Sequence, residues 1–122
     1  MAGLLNRVRQ PFNVNSVAQA AALAALDDDD HLQQCVRRNR EGMAQLRSGF
    51  EALGLSCIDS AGNFVCVDTG RSGADIYASL LRKGVIVRPV ANYGLPRHLR
   101  VTVGRADENA RFLHALEQVL HD

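Results

Sequence analysis

GVIVRPVANYGLPRHLRVTVG, residues 84–104, holds two short runs rich in β-branched residues with a Gly/Pro loop between them, the pattern of two strands and a turn. In the second run Leu99, Val101 and Val103 share one face, while Arg100 and Thr102 share the other. Helices must cover the apolar face, so Arg100 is expected on the side they leave bare. Arg88 ends the first run, Val85–Arg88. If the two strands lie near each other, both guanidinium groups reach one region. A guanidinium is a rigid fork of five donors, suited to bidentate capture of a carboxylate or phosphate. Two roles fit such a pair: a clamp on a small anion, or structural bridges to Asp68 or to a helix C-terminus.

Upstream, residues 1–15 read as a connector, because Arg7, Arg9, Pro11 and the asparagines interrupt any apolar period, and Pro11 favours extended backbone before it. Asn15 or Ser16 then caps a helix over SVAQAAALAAL, whose small residues on all sides suggest close packing. The run DDDD (27–30) lacks the alternation of a calcium loop and reads as a helix break, with Asp29 or Asp30 capping the next helix. Leu32, Val36, Met43, Leu46, Phe50 and Leu53 form the apolar stripe of that long helix, and Gly54 ends it. Arg37, Arg38, Arg40 and Arg47 are expected on its solvated face.

Strands are expected over Ser56–Ile58 and Asn63–Asp68. A helix over 74–83 should turn Ile76, Tyr77, Leu80 and Leu81 inward and stop at Gly84. Val85–Arg88 and Leu99–Val103 are the remaining strands. Asp107 should cap a last helix with the stripe Ala110, Leu113, Leu116 and Leu120. This order predicts an α+β domain, a small mixed or antiparallel sheet with helices packed on one face, and strands 64–68 and 99–103 as antiparallel neighbours.

The 122 residues fit one domain, with 47% hydrophobic and 22% charged residues and a net charge of +1. That balance gives no strong steering toward nucleic acid or a membrane, and the aromatic-rich strands of the common RNA-binding sheet are absent. No stretch approaches the about 18 apolar residues of a membrane span, and the first residues lack a signal-peptide core, so a cytoplasmic protein is expected. Cys35, Cys57 and Cys66 read as buried reduced thiols, and the scattered histidines argue against a metal site.

The block Gly-x-x-x-Arg-Pro, the Gly-Leu-Pro loop, Leu-Arg-x-Thr-Val-Gly and the Glu-Asn start of the last helix resemble the C-terminal part of histidinol-phosphate aminotransferases. These are fold-type I enzymes that use pyridoxal phosphate. The resemblance begins near RVRQPFNVNSVAQAAALAAL and runs to the end of the chain. It implies a connector over 1–15 and a small C-terminal domain over 16–122, whose partner is the large domain of the same enzyme, absent here. It implies that Arg100 is the substrate-anion arginine, holding an α-carboxylate in the general class, and the substrate phosphate or the carboxylate of glutamate in this family. Arg88 matches a second arginine at that anion. Asn92 and Tyr93 lie in the loop between the two arginines, as pocket residues or as turn residues alone.

The family's Schiff-base lysine sits in an upstream Ser-x-Lys segment, and its cofactor cradle is also upstream. Lys83, the one lysine here, is expected to be solvated at a helix end. The resemblance therefore implies no catalytic residue in this chain, a pyridoxal phosphate bound by the large domain, a small anionic substrate, and a homo-oligomer. GRADEN departs from the family at Arg105 and Asp107, which touches the helix cap and not the clamp. A second class of function, a stand-alone regulatory domain that senses a small anion, fits the same arginine pair.

Overall fold

The structure, a computed structural model, describes residues 2–9 and 12–122. The backbone expected before Pro11 falls outside those residues. The chain divides into two compact units, Met1–Gln34 and Cys35–Asp122.

The first unit holds α1 (Ala2–Val8), α2 (Ser16–Leu26) and the opening turns of α3 (Asp29–Ala52). Helix α1 was not foreseen. Leu4, Leu5 and Val8 stand at helical spacing, and Arg7 in the last turn complements the dipole. Asn15 caps α2, accepting from the Ala18 N–H at 2.9 Å. Asp28, rather than Asp29 or Asp30, caps α3, accepting from the His31 N–H at 2.9 Å. This leaves two aspartates in the first turn, where they complement the dipole. No residue of α1 or α2 is buried, so the close packing expected of α2's small residues is not met among the described residues.

In the second unit, β1 (Cys57–Ile58), β2 (Phe64–Asp68), β3 (Arg88–Val90) and β4 (Leu95–Thr102) form a sheet in the order β1-β2-β4-β3, every neighbour antiparallel. Val65 and Val67 of β2 and Leu99 and Val101 of β4 point to one face. They join Leu46 and Phe50 of α3, Ile76 and Leu80 of α4 (Gly73–Arg82), and Phe112, Leu116 and Val119 of α5 (Ala106–His121) in one core. Phe50 and Phe112 meet edge to face, with ring centres 6.0 Å apart. The architecture is α+β with the helices on one face, as expected.

Several boundaries moved for local reasons. β3 starts at Arg88 instead of ending there. After Gly84, in the left-handed region at φ 73°, the Val85 N–H bonds back to the Leu80 carbonyl, so Val85 closes the helix and the chain reaches β4 only at Arg88. β4 begins four residues early and includes Pro96. Pairing with β2 reaches only as far as His98, so no ladder bond is asked of the proline nitrogen on that side.

Helix α5 buries Asn109, Phe112, Ala115, Leu116 and Val119, while Ala110 is exposed and Leu113 and Leu120 are half-buried. The stripe was misread because a polar residue lies on the buried face. Asn109 accepts from the Gly104 N–H and donates to the carbonyl oxygens of Gly104 and the Gln45 side chain. The cap is Arg105, whose N–H donates to Glu108 Oε2 at 2.8 Å, and Asp107 sits in the first turn as an ion-pair partner of Arg105. Leu81 is exposed, as are Leu32 and Val36. Arg47 is half-buried and pairs with Asp59 at 3.2 Å, unlike the solvated Arg37, Arg38 and Arg40. Cys35 is exposed and Cys57 and Cys66 are half-buried, so the thiols are less enclosed than expected. No described helix is long and apolar enough to cross a membrane.

Helix α4 can lie close to β4 because Gly73 has no side chain. A Cβ there would stand 2.9 Å from the His98 carbonyl oxygen and 3.1 Å from that of Pro96. Gly73→Ala is expected to lower stability by about 1–3 kcal/mol, since backbone has to move, as measured by urea denaturation. Light scattering on dilute protein is expected to show self-association, driven by exposed apolar side chains such as Leu4, Val17, Leu23 and Leu26.

Candidate anion-binding site

The alternation of β4 places His98, Arg100 and Thr102 on the face opposite the core. Arg100 pairs in register with Cys66 of β2 on one side and with Arg88 of β3 on the other. Residues directly opposite on antiparallel strands share a face with Cβ atoms about 4.5–5.5 Å apart. The two arginines therefore project side by side from the bare side of the sheet. They line, with Ile86, Val87 and Thr102, an open cavity of about 200 Å³. Among the described residues neither guanidinium has a hydrogen-bond or ion-pair partner. Like charges set directly opposite destabilise a sheet by up to about 1 kcal/mol. An anion seated between them reverses that sign.

The structural duties considered for these arginines are carried by others. Arg97 Nη2 lies 2.6 Å from Asp68 Oδ2, and Arg71 Nη1 reaches the carbonyl oxygens of Val119 and Leu120 near the end of α5 at 3.4 Å. Alternation could not single out Arg97, which has the parity of the buried Leu99 and Val101. Asn92 and Tyr93 are exposed in the 3₁₀ turn Ala91–Tyr93, which with Gly94 joins β3 to β4. They are not among the residues lining the arginine cavity. Phe64 is at the site and was missed. Its ring centre is 5.1 Å from Arg100 Cζ. The signal was present, since alternation in Asn63–Asp68 puts a large aromatic on the polar face.

Lys83 caps the C-terminus of α4, is exposed, and donates from Nζ to Gln118 Oε1 at 3.1 Å. It faces neither arginine. Among the described residues no group of three or more His, Cys, Asp and Glu side chains could hold a metal ion.

A domain of this topology is met in a known class. The chain belongs to the class I and II aminotransferases, whose family pattern matches residues 1–116. It is 62% identical over 98% of its length to histidinol-phosphate aminotransferase 2 of Pseudomonas fluorescens, covering 32% of that protein. It is 63% identical to histidinol-phosphate aminotransferase 2 of Pseudomonas aeruginosa, covering 33% of it. Among solved structures, histidinol-phosphate aminotransferase from Sinorhizobium meliloti in complex with pyridoxal-5'-phosphate superposes with a TM-score of 0.80 at 28% identity, over 98% of this chain and 34% of that one. The chain spans about a third of the length of the curated relatives it matches.

Asp68 ties the sheet to the turn that follows it. The Gly70 N–H donates to its Oδ1 at 2.8 Å and, with the nearby Arg97 and His98, holds its carboxyl below the usual aspartate range against the opposing effect of burial. A lowered folded-state pKa means stability that is present above the unfolded value of about 3.9 and is lost as pH falls through the folded value. Asp68→Asn is expected to flatten the acid limb of the stability curve below about pH 4, read by thermal melts across pH. An unchanged acid limb contradicts the role given to Asp68.

Proposed function

We propose that this chain is the C-terminal small domain of an aminotransferase of histidine biosynthesis. Residues 16–122 form the domain, and residues 1–15 connect it to a large domain of the same enzyme. The reaction exchanges the amino group between L-histidinol phosphate and 2-oxoglutarate, giving imidazole acetol phosphate and glutamate. The enzyme is a cytoplasmic homodimer. The names of the closely similar relatives support the substrate, and the bound group in the Sinorhizobium structure supports pyridoxal phosphate as cofactor.

The residues of this chain do not fit a seat for that cofactor. A covalent link needs a lysine at the site, and Lys83 is committed to Gln118 on the helical layer. Pyridoxal phosphate, held by the large domain, supplies the electron sink of amino transfer. Arg100 and Arg88 bind and orient the substrate by its anionic end, the phosphate of histidinol phosphate in one half-reaction and a carboxylate of glutamate in the other. One fork meeting two kinds of anion is chemically reasonable, because both offer paired oxygens to bidentate N–H donors. The observation that carries this proposal is the in-register pair Arg88–Arg100, with no protein anion between them among the described residues.

The test is a chimera in which this chain replaces the C-terminal third of the Pseudomonas fluorescens relative. It is expected to transaminate histidinol phosphate. Arg100→Gln in that chimera should lower kcat/KM roughly 10- to 100-fold, the worth of one charged hydrogen-bonded contact, and Arg88→Gln should lower it less. A chimera whose kinetics are indifferent to Arg100→Gln overturns the assignment.

A further inference from the structure

Arg100 and Arg88 differ in how they are held. Arg88 is exposed, and among the described residues its guanidinium touches no partner. Arg100 is half-buried with its Cζ 5.1 Å from the centre of the Phe64 ring, inside the range of a cation–π contact. The register explains the contact. Phe64 pairs with Thr102 and Cys66 with Arg100, so Phe64 and Arg100 are diagonal neighbours on one face, within reach for a long side chain and an aromatic ring.

Phe64 is also out of place as a core residue. It keeps 37% of its surface exposed on the bare side of the sheet, while its neighbours Val65 and Val67 fill the core. A carboxylate at this position would hold Arg100 equally well, but would occupy its N–H donors and cancel its charge. An aromatic ring engages the face of the guanidinium and leaves the in-plane donors open to a ligand. It also removes rotamer freedom before the ligand arrives, so less is lost on binding.

We propose that Phe64 is a positioning residue for the anion site, fixing the Arg100 guanidinium as the rigid jaw of an asymmetric clamp in which Arg88 is the jaw recruited by the anion. This rests on the assignment of Arg100 to the substrate anion, and its specificity consequence concerns the anionic end alone. Loss of the ring weakens capture of phosphate or carboxylate and leaves the chemical step largely untouched.

Two measurements test it. In the 122-residue chain, the Arg100 Nε–Hε resonance is expected to be ring-current shifted and ordered on the nanosecond timescale. Phe64→Leu should abolish both, and Phe64→Tyr should keep both. In the chimera, Phe64→Leu should raise KM for histidinol phosphate about three- to tenfold with kcat within about twofold, Phe64→Tyr should restore KM, and Phe64→Leu should add nothing in an Arg100→Gln background. An Arg100 resonance equally ordered without the ring overturns the proposal. So does an unchanged KM in Phe64→Leu while Arg100→Gln raises it, a result that leaves the arginine assignment standing. If Arg100→Gln itself leaves KM unchanged, the assignment of function falls, and this inference falls with it.

Discussion

Strand β4 is held between β2 and β3 by two antiparallel ladders, and the parity of that pairing decides where every side chain of the site goes. With Val67 opposite Leu99 and Val65 opposite Val101, the apolar half of β4 is committed to the core. Arg100 is thereby committed to the bare face, opposite Arg88. A slip of one residue would flip the whole set, turning the guanidinium under the helices and the leucine out to water. Burying an unpaired charge costs several kcal/mol, so core and clamp enforce the same register.

The other arginines clarify this pair by contrast. Arg97 takes Asp68, Arg71 takes the carbonyl oxygens at the end of α5, and Arg47 takes Asp59. Each satisfies a group of the fold. Among the described residues Arg88 and Arg100 stand opposite each other without any such group, and the Arg100 guanidinium lies over the ring of Phe64. A fold that gives its structural arginines internal partners and sets two further cations side by side suits the anion site proposed above.

Much of this was legible in advance because it depends on short-range periodicity. The alternation of Leu99–Val103 pointed Arg100 outward, and the antiparallel pairing of residues 64–68 with 99–103 followed from strand type and order. Boundaries were less legible. Val85 looked like a strand residue and is spent closing a helix, while Pro96 looked like a loop residue and sits in a strand where no partner needs its nitrogen. The stripe of α5 was misplaced because Asn109 is polar and buried, its hydrogen bonds made to Gly104 and Gln45, the latter 64 positions away. A pattern search that scores hydrophobicity cannot credit a polar residue for partners it has not yet found.

By itself, then, the order of residues settled the main helices of the sheet-bearing unit, the antiparallel core pair and the direction in which Arg100 points, since these follow from the periods of helix and strand and the need to cover apolar surface. Only the folded chain decided that Arg88 stands opposite Arg100, that Arg97 and not either of them holds Asp68, and that Phe64 lies beneath a guanidinium. Those are contacts between segments far apart along the chain, and their register is set by packing of the whole core, which no local window of sequence contains.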